Sequence, residues 1–203
     1  MRNVSRPHRK RIRHFDEVGE FHELTFSCFH RLQLLADDRL LEDLSRTIDR
    51  ATERHSWRLT AFVFMPEHVH LLVYPSRPQA RVADLLFAIK RPFSYRAKQY
   101  FTETKSDLLE SLFVRQRPGV QTFRFWQEGP GYDRNIRSEK ALQAAIEYIH
   151  LNPVRRKLVE RANDYSWSSA AWYQSHGIEI NKRLPLLTAP PADFIVDPWV
   201  CSD

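Results

Sequence analysis

Apolar and polar positions first alternate over residues 21–29, in the run FHELTFSCF. Phe21, Glu23, Thr25, Ser27 and Phe29 fall on one side of an extended chain, and His22, Leu24, Phe26 and Cys28 on the other, so a first strand is expected. Over residues 37–55 the period changes. Leu40, Leu41, Leu44, Ile48 and Ala51 recur every three or four positions behind Asp37 and Asp38, a pattern that predicts a helix with acidic residues at its start. Residues 57–65 read as a second strand, Pro66-Glu67 as a tight break, and residues 68–74 as a third strand in an antiparallel hairpin with the second.

Helical spacing returns at Val82, Leu85, Leu86, Ile89, Phe93, Ala97 and Tyr100, with Pro92 expected to kink the helix and Lys90, Arg91, Ser94 and Lys98 on a basic face. Residues 102–122 lack a clean period and contain Pro118-Gly119, which predicts a connection with a short helix over 108–113. Phe123, Phe125 and Trp126, followed by Gly129-Pro130-Gly131 and residues 132–136, predict a fourth strand interrupted by a bulge or turn. Ser138 can cap the next helix, which presents Leu142, Ala145, Ile146 and Ile149 inward and is expected to end at Asn152, before Pro153. A short capped helix over 164–173 and an extended tail from Gly177 complete the chain. The order strand, helix, strand, strand, helix, strand, helix fits an α+β fold of ferredoxin-like plan. That plan is a four-stranded antiparallel sheet with helices on one face, His68 on an inner strand, and one domain over 19–175 between a basic arm (1–18) and a tail (176–203).

With 203 residues, 42% of them hydrophobic, the chain can bury one sizeable core. It has no apolar run near the roughly 20 residues that span a bilayer, and no hydrophobic segment behind the N-terminal arginines, so a soluble, cytoplasmic protein is expected. Its two cysteines, Cys28 and Cys201, exclude a disulfide framework. The net charge of +6 is concentrated at one end: Arg2, Arg6, Arg9, Lys10, Arg11 and Arg13 precede the first acidic residue. A basic arm of this kind suits phosphate backbones, with an affinity that falls as salt rises.

The candidate chemistry starts at His68 and His70. In a strand the two imidazoles point the same way, and a rigid pair of neutral nitrogens leaves coordination positions open for substrate oxygens. Far along the chain, Tyr148 and Asn152 are four residues apart on one helix face. If that face lies over the histidines, Asn152 can complete the protein ligands of a metal ion and Tyr148 can reach a phosphate held by it. Taken singly, a tyrosine or asparagine near a helix end is more often packing or a cap, and His150 between them can serve as a backbone-bonded or groove-facing residue.

The ordered motifs MPEHVHLL, FWQEGPGYDRNIRSEKAL, EYIHLNPVRRKLV and YSWSSA, covering roughly residues 20–173, resemble those of the REP-associated tyrosine transposases, a branch of the single-tyrosine HUH transposases of bacteria. The resemblance implies a ferredoxin-like fold, Mg2+ or Mn2+ as cofactor, and strand-specific cleavage and joining of single-stranded DNA near repetitive palindromic hairpins. It implies His68, His70 and Asn152 as metal ligands, and Tyr148 as the nucleophile that becomes linked to a DNA 5′ phosphate. The expected DNA contacts are Arg9, Lys10, Arg11, Arg13, Lys90, Arg91, Trp126, Arg134, Arg155, Arg156 and Lys157, with a core role the stronger expectation for the aromatic ring. The resemblance suggests a monomer from the REP-type branch and a dimer from the insertion-sequence branch. Glu67 stands where Asn is usual in such proteins. A hairpin-binding protein that does not cut, and an HUH nickase of replication or transfer, are the alternative readings.

Overall fold

The computed structural model describes residues 19–129, 131–192 and 194. The chain runs through β1 (Phe21–Ser27), α1 (Asp38–Arg54), β2 (Trp57–Met65), β3 (His68–Pro75), α2 (Val82–Glu103), α3 (Leu108–Ser111), β4 (Phe113–Arg117), β5 (Val120–Phe123), β6 (Tyr132–Ile136), α4 (Glu139–Arg155) and α5 (Ala170–Gln174). Four strands form an antiparallel sheet of order β2-β3-β1-β6, the ferredoxin-like arrangement, with β3 inside it.

Period-two alternation decides what each face of the sheet meets. Leu24 and Phe26 of β1, Phe62 and Phe64 of β2, and Val69, Leu71 and Val73 of β3 join the larger core with residues of α1 and α2. Phe21, Ala61, Val63, Met65, Leu72 and Ile136 point the other way and pack against Leu142, Ala145, Ile146 and Ile149 of α4. Helices therefore cover both faces, not the single face expected from element order. The near-continuous apolar run of β2 and β3 reflects burial on two sides.

Four local expectations are corrected. Residues 102–122 hold a two-stranded hairpin, β4 and β5, turned at Pro118-Gly119; its strands are half-buried or exposed, so no apolar alternation marks them. The fourth sheet strand is β6 alone, because Phe123 ends β5 and Trp126 makes an isolated bridge to Cys28. Helix α4 continues through Asn152 and Pro153 to Arg155. A proline this close to a helix end forfeits one N–H donor, and the turn beyond it still closes through Arg156 N–H to Asn152 O (3.1 Å) and Leu158 N–H to Pro153 O (2.9 Å).

The fourth correction concerns the SWSS motif, which is not helical before Ala170. Its chain runs beside the outer edge of β2: Phe64 N–H donates to Trp167 O (2.9 Å) and Ser169 N–H to Phe62 O (3.0 Å). Further along, Thr188 N–H donates to Leu59 O (2.8 Å), so the extended tail is docked on the same edge. An otherwise open sheet edge is thereby paired, which removes a template for aggregation.

Candidate active site

His68 and His70 extend from β3 toward the α4 side of the sheet, and both are buried. Their Nε2 atoms lie 3.0 Å apart. Outer partners hold each ring. His70 Nδ1 is 2.8 Å from the Thr25 hydroxyl, the residue opposite it on β1. His68 Nδ1 is 3.1 Å from Glu67 Oε1, close enough for an ion pair although not directed as a hydrogen bond. Burial, reinforced by His68 and Arg31, pushes the His70 imidazole down to about 3. Burial also lowers His68, outweighing the opposing pull of Glu67. Both rings are thus neutral near pH 7, the state in which imidazole is a ligand.

Helix α4 delivers the other two residues. Ser138 caps its start by accepting from Ala141 N–H, and the Leu142–Ile149 face seats it on the sheet. Tyr148 then meets His70 edge to face, with ring centroids 5.6 Å apart, and remains 41% exposed, so the phenol is open to a substrate. The Arg155 guanidinium lies over the same ring, 5.0 Å from its centroid. One turn beyond Tyr148, buried Asn152 donates through Nδ2 to Tyr148 O (2.9 Å), which leaves its amide oxygen as the atom able to ligate.

These donors suit a divalent ion. Among the described residues no three His, Cys, Asp or Glu side chains gather to hold a metal ion, so any third protein donor beside His68 and His70 would be an amide or hydroxyl. Two neutral nitrogens, if joined by an amide oxygen such as that of Asn152, would make a sparse set that leaves room for phosphate oxygens and water. Imidazole favours borderline ions over Mg2+, which makes Mn2+ the better probe.

Residues 21–152 match the family model described as "Transposase IS200 like". The chain belongs to the IS200-like transposase family. It is 28% identical over 120 residues to a Haemophilus influenzae protein named as a candidate REP-associated tyrosine transposase, a match over 58% of this chain and 61% of that one. The chain therefore spans about three fifths of that relative's length. A solved structure of a REP-associated tyrosine transposase bound to a REP hairpin shares the fold, with a TM-score of 0.62 and 19% identity over 84% of this chain and 88% of the other.

At the rim of the candidate site, Glu67 Oε1 is 3.2 Å from Arg156 Nη2 and 3.5 Å from Arg31 Nη2. Burial raises the Glu67 carboxyl, but His68, its own backbone N–H and Arg156 together hold it below the usual range. The anion in the PEHVH motif is therefore offset by two guanidinium groups. Of the other expected DNA contacts, Arg155 is exposed over the Tyr148 ring, Lys157 is exposed just beyond the end of α4, Arg91 is exposed on α2, and Arg134 is paired with buried Glu23 at 2.6 Å. Two placements bear on these contacts, the first giving the Trp126 ring the core role that is its stronger expectation. Trp126 is 7% exposed, packs on Phe26 and Phe93, and donates to Lys90 O, so it has no free face for a base. Lys90 is half-buried, with Nζ donating to Gly129 O (3.3 Å) over the Phe26 ring. Arg9, Lys10, Arg11 and Arg13 lie outside the described residues. Thr25 and Arg31 join the site without a local signal in the sequence. Thr25 sits on the same alternating face of β1 as Glu23, but only the register of β1 on β3 puts it opposite His70.

No helix among the described residues is long and apolar enough to cross a membrane.

Proposed function

We propose that this transposase cleaves and rejoins single-stranded DNA beside palindromic hairpins, through a covalent 5′-phosphotyrosine at Tyr148. The carrying observation is the contact between Tyr148 on α4 and His70 on β3, residues far apart in sequence whose rings meet at 5.6 Å. The hairpin in the solved relative supports the choice of substrate. His68, His70 and Asn152 would hold Mg2+ or Mn2+. When bound, the ion supplies polarisation of the scissile phosphate and stabilisation of the charge that develops there.

The residues of the chain carry the remaining roles. The Tyr148 oxygen attacks phosphorus and loses its proton, the bond from phosphorus to the 3′ oxygen breaks, and that oxygen takes up a proton and leaves as a 3′ hydroxyl. Attack by another 3′ hydroxyl on the phosphotyrosine reverses these steps and joins two strands. Arg155, above the phenol, provides positive charge for the phenolate and the phosphate. Glu67, already engaged by Arg31 and Arg156, presents little free charge to repel DNA.

The test is incubation of the full chain with Mn2+ and labelled hairpin-bearing single strands. A DNA adduct that survives denaturant is expected from the native protein and not from Tyr148→Phe, while the variant still binds the hairpin. An adduct in that variant would move the nucleophile elsewhere. Binding by the native protein without any adduct would favour a hairpin-binding module.

A further inference from the structure

In a bare strand, Glu67 would point away from its neighbour His68. The Pro66-Glu67 turn breaks the alternation. Its backbone is fixed on both sides, with Cys28 N–H donating to Glu67 O (2.9 Å) and Leu35 N–H to Pro66 O (2.9 Å). The carboxylate is turned to the Nδ1 edge of His68, and Arg31 and Arg156 bind the same oxygen from the solvent side. Its side chain is only 14% exposed.

We propose that Glu67 is a positioning residue that fixes the tautomer of His68, keeping the proton on Nδ1 and the lone pair on Nε2, aimed at His70. This inference rests on the reading of His68 and His70 as the ion-holding pair. The reason lies in charge: at 3.1 Å the carboxylate oxygen attracts an Nδ1–H and repels an Nδ1 lone pair, so it favours the proton on the near nitrogen although the contact is not directed as a hydrogen bond. That choice gives direction to the whole row. In the arrangement that this tautomer dictates, His68 Nε2 accepts from His70 Nε2–H across 3.0 Å, and the Thr25 hydroxyl donates to His70 Nδ1 across 2.8 Å. For both Nε2 atoms to serve as ligands, the His70 proton must sit on Nδ1, and Thr25 must accept it. A hydroxyl can play both parts, whereas the carboxylate plays one. Glu67 therefore holds one ligand permanently ready, and Thr25 allows the other to switch. Outer partners of this kind set the ring orientation and basicity of metal-binding histidines.

The proposal is tested on the full chain without metal or DNA, by long-range proton–nitrogen correlation spectra of the imidazoles, with His68 assigned by its loss in His68→Gln. The native protein should show His68 protonated at Nδ1. Glu67→Ala should shift His68 toward the Nε2–H form and weaken Mn2+ binding, titrated by electron paramagnetic resonance, by about 10–100-fold. Glu67→Gln keeps an acceptor and should retain the native tautomer and most of the affinity. His68 protonated at Nε2 in the native protein would overturn the proposal, and that measurement needs no variant to fold. Native tautomer and Mn2+ affinity in a folded Glu67→Ala protein would overturn it equally. Failure of the DNA adduct with the tautomer result intact would instead remove the strand-transfer reading.

Discussion

His150 Nε2 lies 2.9 Å from the Ser169 hydroxyl, and the same hydroxyl accepts from Phe62 N–H at 2.9 Å. One serine thus ties the middle of α4 to β2, on the side of the helix away from Tyr148. Two motifs of the sequence, EYIHLNP and SWSS, meet at this point. Ser169→Ala should leave two buried polar groups without their partner, at about 1–3 kcal/mol each. Denaturant unfolding should show the loss as a lower midpoint with an unchanged slope. An unchanged midpoint would mean that α4 is seated by its apolar face alone.

What the sequence discloses about this site follows from how local each signal is. The two histidines are read correctly from strand periodicity, since their common direction depends only on β3. Tyr148 and Asn152 follow from helical spacing, although the face they look onto requires tertiary structure. Thr25 is hidden because its role depends on the register of β1 against β3, which no local pattern encodes. Arg31 is hidden for a related reason: it closes a 3-10 turn, at φ +55°, and its place beside Glu67 comes from the backbone bond that Cys28 N–H donates to Glu67 O. The β4–β5 hairpin escapes because it buries little apolar surface, so its strands lack the alternation by which strands are found.

Gly131 should prove irreplaceable by alanine. At φ +86°, a Cβ there would stand 2.2 Å from Thr25 O, a backbone atom that cannot move aside alone. The backbone conformation by itself costs a side-chain-bearing residue about 1–3 kcal/mol. Because Thr25 holds the His70 ring, Gly131→Ala should lower both the unfolding midpoint and Mn2+ affinity. A stable variant with native Mn2+ binding would show that β1 and β6 yield without disturbing the site.

Lys90 should be dispensable for DNA and visible in stability. Burial lowers its ammonium to about 8, against an unfolded value near 10.5. The unfolded chain therefore holds this proton through the interval from about 8 to about 10.5 while the folded chain has released it, so the contribution of this group to stability rises with pH across that window and is lost as pH falls to 8. Lys90→Met keeps the packing on Phe26 and removes the titration. The native protein should gain stability relative to the variant from pH 8 to 10.5, and both should bind hairpin DNA alike. A marked loss of DNA affinity in the variant would return Lys90 to the contacts expected from the sequence.

The cations near Tyr148 and those of the N-terminal arm can be separated by salt. Each lost phosphate contact on a single strand should reduce the slope of log affinity against log salt by about 0.7. Arg155 lies over the candidate nucleophile and Lys157 is exposed two residues further on, so their joint replacement by alanine should lower both that slope and the rate of adduct formation. Removal of residues 1–14 takes away six basic groups that precede the first acid. It should lower the slope and leave the adduct rate at saturating DNA unchanged, as expected of charges whose part is to attract the DNA backbone. An unaltered slope after truncation would exclude the arm from DNA binding. A slowed adduct at saturation would place the arm in the reacting complex.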